Sequence, residues 1–136
     1  MLPRIILSLG VLIGASVALC QSAAADTAVD AALMKVLDPD ADGTVDLAEA
    51  KAAGAAVFKK INPDDDGTLD AKELAGRLDE AQLKAADPDN DGTLDMNEWN
   101  ALIETRFAAA DPDNDGTLDE KELKSKAGQA LLTLIH

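Results

Sequence analysis

Hydrophobic residues in this chain fall into short stripes of helical spacing, separated by polar gaps that each contain a glycine. The exception is the first run, Ile5–Leu19, which is continuously apolar and follows a single positive charge at Arg4. Beyond it, Val29, Leu33, Val36 and Leu37 predict an entering helix. Leu47, Ala50, Val57, Phe58 and Ile61 predict a second despite Gly54, and Trp99, Leu102, Ile103, Phe107 and Ala110 predict another more cleanly. The segment "LAGRLDEAQLKAA" (Leu74–Ala86) is weakened by Gly76, but Asp79 with Gln82 can form a capping box that restarts a helix. Leu131, Leu132, Leu134 and Ile135 predict an apolar C-terminal segment that closes the core. Met34 and Met96 lie on these stripes and read as core, not as a groove for a target. The expected fold class is therefore all-α, with Lys and Arg of the connectors on solvated faces.

The opening run is too short and wrongly flanked for a membrane span. It ends at Ala23-Ala24-Ala25, an A-x-A cleavage signal, so residues 1–25 read as a secretory signal peptide and 26–136 as one mature domain. A lipoprotein signal with Cys20 lipidated fits less well, because Leu19 stands where that processing wants Gly or Ala. Cleavage after Ala25 removes the only cysteine, so metals that need sulfur are not expected partners. No stable membrane association is expected after cleavage.

The polar gaps repeat. They read "DPDADGTVDLAE" (38–49), "NPDDDGTLDAKE" (62–73), "DPDNDGTLDMNE" (87–98) and "DPDNDGTLDEKE" (111–122). Each fits D-x-[DN]-x-[DN]-G-x5-E, the EF-hand loop, except that Asn62 replaces the first Asp. A hard cation wants a flexible cage of many oxygens. Positions 1, 3 and 5 supply them: Asp38, Asp40 and Asp42; Asn62 (an amide oxygen), Asp64 and Asp66; Asp87, Asp89 and Asp91; Asp111, Asp113 and Asp115. Thr44, Thr68, Thr93 and Thr117 at position 7 would ligate through backbone carbonyls, and Glu49, Glu73, Glu98 and Glu122 at position 12 would close each cage in bidentate fashion. Gly43, Gly67, Gly92 and Gly116 mark the sharp turn at position 6, where positive φ is expected. Val45, Leu69, Leu94 and Leu118 at position 8 give each loop one apolar side chain to bury against a partner loop.

Two features depart from an ordinary calcium loop. Position 9 is always acidic (Asp46, Asp70, Asp95, Asp119), so three loops offer five carboxylates and the second offers four. Five charges around a divalent ion leave a surplus of three, and a trivalent ion cuts that to two. Each unit of charge interacts with every ligand at once, by several kcal/mol at oxygen-contact distance even at an effective dielectric of about 20. Proline (Pro39, Pro63, Pro88, Pro112) stands second in every loop, stopping the entering helix and stiffening the free loop. Spacing adds a further restriction: loops begin 24, 25 and 24 residues apart, leaving 12 or 13 between sites. That is room for one helix of roughly 20 Å, so neighbouring hands must share.

Net charge is −14, and no basic face exists for nucleic acid to bind. Loss of Arg4 with the leader brings it to −15, because all 26 acidic residues lie at or beyond Asp26. So much clustered charge, with only Phe58, Trp99 and Phe107 as aromatic residues, predicts folding that depends on metal.

Four such loops with proline second, Asp ninth and short connectors resemble the lanmodulin family, and the tail "SKAGQALLTLIH" is similar to that family's C-terminal segment. The resemblance spans essentially the whole mature chain. It implies a compact small helical bundle with four closely spaced EF-hand loops at its periphery. It further implies a monomeric periplasmic protein that binds up to four trivalent lanthanide ions (La3+, Nd3+ or similar) in uptake or handling of the metal. Implied partners are periplasmic metal-handling proteins or the lanthanide-dependent dehydrogenase system. Asn62 departs from the family's carboxylate at position 1 and marks the second site as the weaker one.

No enzyme is expected. There is no internal histidine (His136 is terminal) and no thiol nucleophile after cleavage, and the carboxylates are accounted for as ligands. Metal-assisted hydrolysis needs an open coordination position and a substrate pocket, which closed EF-hand cages lack. The remaining alternative is a periplasmic calcium buffer or sensor, with Ca2+ as the ion.

Overall fold

The computed structural model describes residues 27–136, so the expected leader and its cleavage point lie outside the described residues. The elements run α1 (Ala31–Leu37), β1 (Val45–Asp46), α2 (Leu47–Ile61), β2 (Thr68–Leu69), α3 (Glu80–Ala86), β3 (Leu94–Asp95), α4 (Met96–Ala110), β4 (Thr117–Leu118), α5 (Glu120–Lys124) and α6 (Lys126–Ile135). The fold is thus a small helical bundle of EF-hand type, as expected.

Position 8 of each loop sets the pairing. β1 pairs antiparallel with β4, placing Val45 opposite Leu118, and β2 pairs with β3, placing Leu69 opposite Leu94. All four side chains are fully buried. The first loop therefore joins the fourth and the second joins the third, while α2 runs from the first loop to the second and α4 from the third to the fourth. Helices and strand pairs alternate around a closed ring of four loops.

The amphipathic stripes bury as their spacing demands. α4 buries Trp99, Ile103, Phe107 and Ala110, and α2 buries Ala50, Gly54, Val57 and Phe58, where the two helices pack on each other and on α6. Trp99 meets Phe58 edge to face, with centroids 6.1 Å apart, and its indole N–H donates to the Gly54 carbonyl at 3.0 Å. That bond satisfies the polar end of an otherwise apolar residue. α6 packs across α4, α2 and α5 and buries Leu131, Leu132, Leu134 and Ile135.

Three sequence expectations change. Val36 is exposed (70%) because Leu33 and Leu37 already define the inward face of α1, and Val36 lies at its edge, away from partly buried Met34. Arg77 and Arg106 are not merely solvated: Arg77 donates to the Thr133 and His136 carbonyls at 2.8 Å, and Arg106 donates to the Ala130 carbonyl and to Thr133 Oγ1. Both bring positive charge to the C-terminal end of α6, where the helix dipole favours it. The rule of one shared helix also fails in the middle connector, where residues 71–77 form consecutive turns and α3 begins only after Asp79. The restart itself is as expected, since Asp79 and Gln82 form the capping box.

Candidate metal centre

Each loop begins where a helix or its equivalent ends. Asp38, Asn62, Asp87 and Asp111 are C-cap residues with closely similar backbones (φ −106 to −119°, ψ 78 to 86°), outside the helical region as a following proline requires. The chain then turns through positive φ twice. Gly43, Gly67, Gly92 and Gly116 do so at 85 to 91°, as expected. Ala41, Asp65, Asn90 and Asn114 at position 4 do so at 55 to 59°, which the sequence reading missed. Asn at two of these positions was the available signal, since Asn tolerates the left-handed region better than most residues.

Hydrogen bonds within each loop assign further roles. Thr44 donates both its backbone N–H (2.8 Å) and its hydroxyl (2.7 Å) to Asp42 Oδ1. Thr68, Thr93 and Thr117 do the same to Asp66, Asp91 and Asp115. Threonine thus orients the position-5 carboxylate as well as presenting its own carbonyl. The Asp at position 9 caps the following helix: Asp46, Asp95 and Asp119 each accept the N–H of the position-12 Glu at 2.8 Å. One oxygen of that Glu accepts the position-9 N–H in return, completing a capping box. Asp70 and Glu73 make the same pair of bonds although only turns follow.

Ligand candidates from three loops converge. Asp38, Asp40 and Glu49 bring carboxylate oxygens within 4.8 Å of one another, as do Asp87, Asp89 and Glu98, and Asp111, Asp113 and Glu122. Positions 5 and 9 stand outside these tight groups, held by the threonine and capping bonds. The second loop places Asn62 where the others place Asp, and it forms no such all-carboxylate group among the described residues.

Crowding shifts the carboxyl groups apart. Burial pushes Asp38, Asp87 and Asp111 up, but backbone N–H donors from Gly43, Gly92 and Gly116, with further donors, bring them below the usual carboxylate range. Asp40 and Asp89 are raised first by hydrogen bonding to the position-1 carboxylate. Asp113 is raised in the same way against a backbone bond from Asp115 that lowers it. Glu49 is raised first by burial; Glu98 is raised by burial and neighbouring charge, which outweigh the bond from Asp95. Positions 1 and 3 thus compete over one proton, and a hard multivalent cation offers both oxygens the positive charge that a proton offers to one.

A family model described as EF hand matches residues 78–103 and 102–125, which contain the third and fourth loops. No curated protein matches the chain. Taken with the helical fold and the three acidic groups, the match defines a small helical protein of the EF-hand, metal-binding type.

Proposed function

We propose that this protein is a lanmodulin-type binder of trivalent lanthanide ions, in which metal binding drives folding and serves lanthanide uptake or handling. In this reading, residues 1–25 direct export and are removed, and 26–136 form one periplasmic metal-binding domain without catalytic activity. Positions 1, 3, 5, 7, 9 and 12 of each loop supply the ligand set. The observation that carries the reading is carboxylate excess: an acidic residue at position 9 of every loop, in three of which the carboxylates at positions 1, 3 and 12 already lie within 4.8 Å of one another. A higher cation charge gains against every one of these ligands at once.

The calcium reading has its own support. One oxygen of Asp46, Asp95 and Asp119 at position 9 is occupied in helix capping, as it would be in a loop that reaches its ion there through water. A competition experiment separates the two. Lanthanum added to chelator-stripped protein should raise helical circular dichroism at near-stoichiometric metal, and millimolar calcium should not reverse its binding. Terbium should luminesce through Trp99, which adjoins Glu98. Loss of terbium emission under modest calcium would establish the calcium protein instead.

A further inference from the structure

Helix α6 is fastened at both ends to segments that leave metal loops. Its N-cap, Ser125, donates its backbone N–H and its hydroxyl to the carbonyl of Glu122, the closing residue of the fourth loop, at 3.1 and 2.6 Å. The same hydroxyl oxygen accepts the Gly128 N–H at 3.0 Å. Gly128 is buried against this backbone so closely that a Cβ there would stand 2.2 Å from the Glu122 carbonyl oxygen and 2.5 Å from Leu123 Cα. At the other end, Arg77 donates to the Thr133 and His136 carbonyls at 2.8 Å. Arg77 belongs to the turns of the middle connector, where its own N–H and that of Leu78 donate to the Leu74 carbonyl at 2.9 and 3.0 Å.

These contacts close a path that the strands leave open. Strand pairing joins the first loop to the fourth and the second to the third, and no strand joins the two pairs among the described residues. α2 and α4 run along the ring of loops, whereas α6 runs across it, from the exit of the fourth loop to the middle connector. Its ten residues span about 15 Å, and hydrogen bonds along the helix make that span stiff. A stiff element seated at both ends transmits a displacement that a loose tail would absorb. Metal binding displaces Glu122: one of its carboxylate oxygens accepts the Asp119 N–H at 2.9 Å, and a bidentate ligand must turn both oxygens to the ion. Because its carbonyl lies beneath Ser125 and Gly128, the fourth loop cannot settle around an ion without setting the seat of α6. Both ends thus bias one element between docked and undocked states, which is the physical requirement for coupling between distant sites.

We propose that α6 is a strut coupling the two loop pairs, with Arg77 the positioning residue that passes occupancy of the fourth loop to the middle connector and so to the third loop. This rests on the metal-binding reading of the loops, whichever ion they take, and the test keeps the two apart. Chelator-buffered lanthanum is titrated into the full chain, with the Gly92 amide resonance as reporter of the third loop. Glu122→Gln disables the fourth loop while keeping an oxygen for the capping bond, and should raise the lanthanum midpoint at Gly92 at least tenfold. Part of that shift travels through α4 and persists in every variant. Arg77→Gln should reduce the factor to about threefold, and Arg77→Lys, which keeps a charged donor for the same carbonyls, should restore part of it. Gly128→Ala, which pushes α6 from its seat at the opposite end, should reduce the factor as Arg77→Gln does. Lower affinity or helicity in Arg77→Gln with the factor unchanged would make Arg77 a structural residue only and overturn the proposal. A Gly92 midpoint that ignores Glu122→Gln in the native chain overturns it as well. If calcium moves the loop glycines and lanthanum does not, the trivalent reading fails, and the same cycle run with calcium decides the coupling by the same criteria. If neither ion moves them, the metal-binding reading and the strut fall together.

Discussion

The connector between the third and fourth loops and the one between the second and third differ by one residue in length, 12 against 13, yet only the former is a single helix. The reason lies in helical phase. In α4, Trp99, Ile103, Phe107 and Ala110 fall on one stripe and all are buried. In the middle connector the buried residues are Leu74, Leu78 and Leu83. Nine residues at about 100° each would put Leu83 on the face opposite Leu74 in an unbroken helix. Breaking the chain at Gly76 (φ +83°) and restarting it at Asp79 brings all three leucines to the core. Equal spacing therefore permits a shared helix without imposing one. The position of the apolar residues decides.

The largest expected effect breaks the stronger side of this comparison. Trp99→Ala removes the most voluminous fully buried side chain together with its indole bond to the Gly54 carbonyl. It should cost about 3–5 kcal/mol, against about 2 kcal/mol for Leu83→Ala at the lower end of the leucine range. Urea denaturation at one fixed metal concentration measures both, since bound metal shifts apparent stability. A larger loss from Leu83→Ala would mean that α4 is not the principal element of the core.

Smaller effects come from two glycines, Gly54 of α2, which packs against α4, and Gly76 of the middle connector. A Cβ at Gly54 would lie 2.2 Å from Ile103 Cδ1 and 3.3 Å from Trp99 Nε1. Overpacking of this kind costs about 1–3 kcal/mol, and the gain in helix propensity of about 1 kcal/mol offsets part of it. Gly54→Ala should therefore be net destabilising, and Ile103→Val in the same chain should restore much of the loss by making room. Gly76 has nothing within 4 Å of its would-be Cβ, so only its positive φ resists substitution. Gly76→Ala should cost about 1–2 kcal/mol. Gly76→Asn should cost less, because Asn visits that region more readily. Equal losses for Ala and Asn at position 76 would show that backbone conformation is not what the glycine supplies.

Much of this was legible beforehand because it rests on local rules. The helical stripes, the turn glycines, the burial of position 8 and the Asp79–Gln82 restart each follow from a few neighbouring residues. What depends on the assembled chain was not legible. That the first loop would pair with the fourth depends on long-range antiparallel packing, which position 8 permits without naming the partner. Arg77 and Arg106 looked like surface charge until α6 placed its C-terminal carbonyls beside them. The threonine hydroxyl bonds and the left-handed residue at position 4 were within reach of local reasoning, but the ligand pattern absorbed both positions first.

The smallest effect tests whether the restart after Gly76 belongs to its cap or to helical phase alone. Asp79 Oδ1 accepts the Gln82 N–H at 2.7 Å, and the Gln82 side chain accepts the Asp79 N–H at 3.0 Å. α3 is only seven residues long, too short to persist without tertiary packing, and Leu83 is its one buried residue. Removing the cap by Asp79→Ala should cost about 1 kcal/mol, and Asp79→Ser should recover most of it. Hydrogen exchange resolves where the loss falls: the Gln82 and Leu83 amides should exchange faster in Asp79→Ala, while those of α4 keep their protection. Unchanged exchange at Gln82 would assign the restart to the burial of Leu83 rather than to the capping box. The middle connector would then differ from α4 by phase alone.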